Sequence, residues 1–138
     1  MKKLIYILLF TLAIQPAFAQ DEQQQGDGKL REKMVEYIQN RLSLDKNEAE
    51  KFQPVFLDYL KELRKTNQEF RGDRLVLQQK VVELRLRYRE QFKPIVGEKR
   101  SNDVFTYERE FVEKTKDVLK ERREERRAKG KISKLFSN

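Results

Sequence analysis

The chain contains no cysteine and no histidine, and one of its two methionines is Met1. Without cysteine there is no disulfide, no thiolate nucleophile and no thiol on which to build a lipid anchor. Without histidine a serine lacks its usual general base, and a transition metal would find carboxylates alone. Carboxylates are plentiful, but they lie on charged, solvated helix faces. The sequence therefore predicts no catalytic residue, no metal site and no cofactor, and it is not read as an enzyme. Five glycines and three prolines in 138 residues leave few points at which the backbone must turn.

What is present is charge, at 39% of the residues with both signs interleaved, on a chain rich in Leu, Glu, Lys, Arg and Gln. That is the composition of long, solvated helices. The apolar residues concentrate first at the N-terminus. Lys2 and Lys3 precede Leu4 to Ile14, which is apolar except for Thr11; Pro16 then breaks the run, and Ala17-Phe18-Ala19 has the small-x-small form of a cleavage site. This is the pattern of an export signal removed after Ala19. It is shorter than the roughly 20 apolar residues of a bilayer span, and no later stretch comes near that length. Export places the protein in a periplasm, away from nucleic acid. The net charge of +8, reduced to +6 once Lys2 and Lys3 leave with the signal, then points to anionic lipid headgroups or acidic protein segments as partners. With no disulfide available, stability has to come from helix packing or from oligomerisation.

The organisation follows from composition. Residues 1–19 form the signal, and residues 20–28 (QDEQQQGDG) read as a disordered polar leader. Residues 29–127 form a helical domain and residues 128–138 a flexible basic tail. A first amphipathic helix carries Leu30, Met34, Tyr37, Ile38 and Leu42 at three- and four-residue spacing. Leu44-Asp45-Lys46-Asn47-Glu48 is a start signal: Asp45 caps a second helix, Glu48 reaches back in a capping box, and Leu44 sits at the staple position. Phe52, Val55, Phe56, Tyr59, Leu60, Leu63 and Phe70 line that helix. Pro54 lies inside it and predicts a bend.

Gly72 admits two readings, a break between helices or a tolerated glycine. The third stripe is Leu77, Val81, Leu84, Tyr88, Phe92 and Ile95, widened by Leu75, Val82 and Leu86, with Pro94 predicting a second bend. Phe92-Lys93-Pro94-Ile95-Val96 echoes Phe52-Gln53-Pro54-Val55-Phe56, though one echo does not establish a repeat. Ser101, Asn102 and Asp103 are N-cap candidates for a fourth helix bearing Val104, Phe105, Glu108, Phe111, Val112, Thr115, Val118 and Leu119. That helix is expected to fray at Gly130. Lys129, Lys131 and Lys134 beside Ile132, Leu135 and Phe136 make a small basic amphipathic patch, suited to weak contact with an anionic membrane surface.

The expected fold is all-α, with about four amphipathic helices in an elongated or cradle-like arrangement. The aromatic faces exceed what one copy can cover, which predicts an interlocked homodimer. Leftover apolar surface rimmed by Lys and Arg would suit partly unfolded protein. Phe52, Phe56, Tyr59, Arg85, Arg89, Phe92 and Phe105 are the candidates for that surface; the five aromatic residues read first as core and only second as client surface, and the two arginines first as solvated charge.

These features resemble the Spy/CpxP-type periplasmic proteins, the family named for its LTXXQ motifs. Leu44-Asp45-x-x-Glu48 is similar to an LTXXQ motif in which Asp replaces Thr as cap and Glu replaces Gln. Ile95 to Arg100 occupies the place of the second motif with little of its pattern. The Phe-x-Pro-Val-Phe segment and Tyr107-Glu108-Arg109-Glu110-Phe111 resemble a branch labelled sensors of extracytoplasmic-function (ECF-type) sigma factors. The resemblance implies a cradle-shaped helical homodimer that binds non-native proteins without ATP, or that reports envelope stress to a signalling protein. Metal-sensing relatives use His, Cys or Met, and that role is set aside here.

Overall fold

The computed structural model describes the backbone of residues 18–136 and the side chains of residues 28–132. Apart from Phe18 and Ala19, the expected export signal lies outside these residues. Four α-helices follow one another: α1 (Phe18–Arg41), α2 (Lys46–Glu69), α3 (Arg74–Val96) and α4 (Glu98–Phe136). Among the described residues there is no strand. The chain divides after Glu32 into two units; the described part of the first is the leading half of α1, and the second holds everything from Lys33 onward. The all-α class with four helices is therefore the architecture of the protein.

Within the larger unit α3 packs against both α2 and α4. The buried residues keep the spacing that made the helices amphipathic. Phe52, Phe56 and Tyr59 come from α2, while Leu84, Tyr88, Phe92 and Val96 recur every fourth residue on α3. Val35 and Ile38 of α1, Leu42 just beyond its end, and Val104 of α4 complete the core. The aromatic rings form one continuous cluster of tilted and edge-to-face contacts: by ring centroid Phe52 lies 5.2 Å from Phe92, Tyr88 6.2 Å from Phe92, Tyr59 5.4 Å from Tyr88, and Phe105 5.6 Å from Tyr59. Both Pro54 and Pro94 sit inside continuous helices, so neither ends its element.

The junctions show why the helices stop where they do. Ser43, with φ of 52°, takes the left-handed conformation after α1. The Leu44 amide donates to the Gln39 carbonyl and the Ser43 amide to the Asn40 carbonyl, the paired bonds of a Schellman stop. The next helix opens at once on Asp45. At the other open question, the helix does break near Gly72. The Asp73 carboxylate caps α3, accepting from the Leu75 amide at 3.0 Å and the Val76 amide at 3.1 Å.

Three expectations are corrected. The segment 20–28 is not an unstructured leader, because α1 runs back to Phe18. Gln, Glu and Ala are good helix formers, no proline intervenes, and a helix already nucleated further along extends at little cost. The tail is likewise helical to Phe136, past Gly130, for the same reason. Finally, α4 begins at Glu98, so Ser101, Asn102 and Asp103 are not caps. Ser101 is fully buried, and its hydroxyl donates to the Glu98 carbonyl at 2.6 Å.

Gly97 alone makes the turn into α4. Its φ of 86° and ψ of 166° fall in a region open essentially to glycine. Its amide donates to the Lys93 carbonyl, and its carbonyl accepts from the Ser101 amide. An added Cβ would meet nothing within 4 Å, so the cost of Gly97→Ala is purely conformational. That substitution is expected to lose roughly 2 kcal/mol of unfolding free energy, whereas Gly130→Ala, in the helical tail, should gain a fraction of one. Urea unfolding followed by circular dichroism measures both, and a loss-free Gly97→Ala would contradict the assigned strain.

Candidate functional site

The most buried charged group among the described residues is Glu108, at 4% exposure in the apolar stripe of α4. It occupies the register position between Val104 and Phe111, where a hydrophobic residue would be expected. Two neighbours account for it. The Tyr59 hydroxyl donates to Glu108 Oε2 at 2.7 Å, and Arg85 Nη2 reaches Glu108 Oε1 at 3.4 Å. Arg85 Nε also donates to the Tyr59 oxygen at 3.2 Å. The triad thus binds α2, α3 and α4 at one level. Burial pushes the Glu108 carboxyl above its ordinary range, with the Tyr59 hydrogen bond and the Arg85 charge opposing. Burial and the Glu108 charge push the Tyr59 hydroxyl up as well.

A second cluster surrounds Glu48. Asp45 Oδ1 accepts from the Glu48 amide at 2.8 Å, and Glu48 Oε1 accepts from the Asp45 amide at 3.3 Å, completing a capping box. The same carboxylate forms a two-pronged ion pair with Arg100 of α4. Arg100 also donates to the Val96 carbonyl at 2.7 Å and reaches the Leu42 carbonyl at 3.5 Å. One guanidinium therefore joins the end of α1, the start of α2 and the α3–α4 turn. Asp45→Ala should cost about 1 kcal/mol as a lost cap. Glu48→Ala should cost about 2 kcal/mol, since it removes the box and leaves Arg100 without its carboxylate. Thermal unfolding of the two variants provides the comparison, and equal losses would deny the Arg100 contact any weight.

Elsewhere, Tyr88 donates to Glu62 Oε1 at 2.6 Å, and its hydroxyl is pushed up to about 12 by burial and by that carboxylate. Arg87 pairs with Glu62 as well. Near α1, the Tyr37 ring lies 5.5 Å from Phe111, its hydroxyl donates to Glu110 at 3.1 Å, and Arg41 stacks on Tyr107 at 4.7 Å. A cleft of about 380 Å3 between α2 and α3 carries Glu62, Glu69 and Glu83 against Lys65, Lys80 and Arg87. Equal numbers of each sign give it no preference for a charged ligand. Among the described residues no group of acidic side chains is arranged to hold a metal ion, and no helix is long and apolar enough to cross a membrane.

The residues predicted to form an open binding surface are mostly interior. Phe52, Phe56, Tyr59 and Phe92 are fully buried, and Phe105 is half-buried against Tyr59 and Phe92. Their spacing identified an apolar face correctly but not what covers it, and here the other helices do. Arg85 and Arg89 are half-buried; Arg85 belongs to the triad, and Arg89 reaches Asn102 at 3.5 Å. Uncovered apolar side chains lie elsewhere: Leu30 on α1, Val118, Leu119 and Ile132 on α4, and, in line on the outer side of α3, Leu75 at 78%, Val82 at 54% and Leu86 at 47% exposure. Those on α3 were read from the sequence as a widening of the core stripe. The misplaced charge of Glu108 was visible as a signal, whereas nothing local marked Arg100. No family model, curated protein or solved structure matches this chain.

Proposed function

We propose that the protein is an exported binding protein, an ATP-independent holdase for non-native proteins of the bacterial envelope, working as a homodimer. The observation that carries this reading is the Leu75–Val82–Leu86 strip, which lies open on α3 while the aromatic core beside it is sealed. Three aliphatic side chains in line offer a client apolar contact without a deep pocket, which suits low-affinity, low-selectivity capture. The net positive charge, +6 for the chain 20–138, draws acidic or anionic clients toward the surface.

The test is light scattering from an aggregating client mixed with the chain 20–138 at a few-fold molar excess. The parent should suppress aggregation, and the triple variant Leu75→Gln, Val82→Gln, Leu86→Gln should not, while keeping its helicity. Suppression that survives the triple variant would remove the strip from the mechanism. A second reading, an adaptor for an envelope-stress signalling protein in an ECF sigma factor pathway, is favoured by the narrowness of the same strip, a single line of side chains whose width matches one helix. It predicts a single stoichiometric partner in crosslinked envelope extract and little protection of unrelated clients.

A further inference from the structure

Every residue of α4 from Lys116 to Ile132 is exposed, so the second half of this helix leaves the core, with none of the described residues covering it. The seam that packs into the core at Val104, Glu108, Phe111 and Thr115 alternates steps of four and three residues. Continued outward, it runs through Val118, Arg122, Glu125, Lys129 and Ile132, which keeps the spacing of a two-stranded coiled coil but places charge at three of its five seam positions. Within the exposed part, Glu121-Arg122-Arg123-Glu124-Glu125-Arg126 has a particular symmetry. Its signs run −++−−+, and read backwards they run +−−++−, opposite at every position. A second copy laid antiparallel, with the two-fold axis between Arg123 and Glu124, therefore meets opposite charge at each level.

Inside a single helix the same block works against itself. Glu121 and Glu125, Arg122 and Arg126, and Arg123 and Arg127 are like-charged pairs four residues apart, an arrangement that destabilises a lone helix. We propose that the exposed half of α4 pairs antiparallel with the same segment of a second copy of this chain, through two ion pairs between Arg122 and the partner's Glu125. In that register Val118 faces the partner's Lys129, whose aliphatic stem can lie along it, and Thr115 faces the partner's Ile132. A uniformly anionic partner, such as a phosphate-rich surface, would meet Glu121, Glu124 and Glu125 and is disfavoured by the same block. The proposal rests on the homodimer reading above and supplies its surface.

Sedimentation of the chain 20–138 across concentration and salt, with charge-swapped variants, tests it. The parent should self-associate, and less so as salt rises. R122E and E125R should each weaken self-association by about tenfold or more. A 1:1 mixture of the two should associate again, as should the R122E/E125R double variant, because each restores opposite charges across the seam. Direction is read from the cysteine-free background. V118C should not crosslink to itself, since the two sites lie about 16 Å apart along the antiparallel pair, but should crosslink to K129C. Single variants that associate like the parent, a self-crosslink of V118C, or a parent that stays single at every concentration would each overturn the proposal. The substituted positions are exposed, so unchanged helicity certifies the folded chain. Light scattering tests α3 and sedimentation tests α4, which keeps a failure of this pairing distinct from a failure of the holdase reading.

Discussion

Phe92→Ala is expected to lose about 3–5 kcal/mol of stability, the range for removing a large aromatic ring from a closed core. Phe92 is fully buried, and its ring lies 5.2 Å from Phe52, 6.2 Å from Tyr88 and 6.1 Å from Phe105. Rings from α2, α3 and α4 therefore meet on this one side chain, and no single neighbour can move in to fill the space it leaves. The control lies one and a half turns earlier on the same helix. Leu86, at 47% exposure, should change stability by no more than about 0.5 kcal/mol when cut to alanine. Chemical denaturation of both variants measures the contrast. Similar losses at the two sites would mean that the aromatic cluster is not the centre of stability.

The second large effect belongs to the charged triad. Arg85→Met should cost about 2–4 kcal/mol at neutral pH, somewhat below a fully buried pair because the Arg85 side chain keeps 32% of its surface in solvent. The loss arises mainly from what stays behind, a Glu108 carboxylate whose side chain is 6% exposed and has lost its cation. The pH dependence follows from the direction of the Glu108 shift. A carboxyl raised above its unfolded value near 4.5 is protonated more readily in the folded state. The stability linked to that proton is complete below the unfolded value and is lost as pH climbs through the folded one. Removing Arg85 takes away an influence that lowered the folded value, so it moves the loss to higher pH and enlarges it. The gap in melting temperature between parent and Arg85→Met should accordingly narrow from pH 7 to pH 4. The exposed Glu83 and Glu90, lowered by Lys80 and Lys93 respectively, act in the opposite sense and are common to both proteins. A gap that is constant with pH would show that the cost of the variant lies in lost packing.

The parts of this fold that could be read from the sequence are those set by neighbours a few residues apart. The Asp45–Glu48 box is one, since both groups and their target amides lie within a single turn. The four-residue spacing of Leu84, Tyr88 and Phe92 is another, because it alone defines a stripe on a helix. Reading failed where the answer depends on a distant element. The sequence marks Phe52, Phe56 and Phe92 as an apolar face, core in the first reading and binding surface in the second, without naming its cover; the other helices provide it. Arg100 looked like one more basic residue, yet it meets Glu48, 52 positions away. The reach of α1 and α4 was underestimated for a different reason. Helix ends were sought at glycines and polar runs, and neither stops a helix unless some better bonding is offered to its backbone. Ser43 and Gly97 provide that bonding; Gly28 and Gly130 do not.

The middle position of α3 sets how the protein gives way. A segment supported on two sides can come loose only after at least one of its supports has, so its amides should be the last to trade hydrogen for deuterium. Among the described residues nothing backs the outer half of α4 in this way, so it should exchange early and, on the pairing proposed above, slow down once a second copy settles on it. The molecule is thus graded from a firm centre to a compliant arm. On the pairing proposed above, the compliant end is also where a mate is taken up or shed without disturbing the centre.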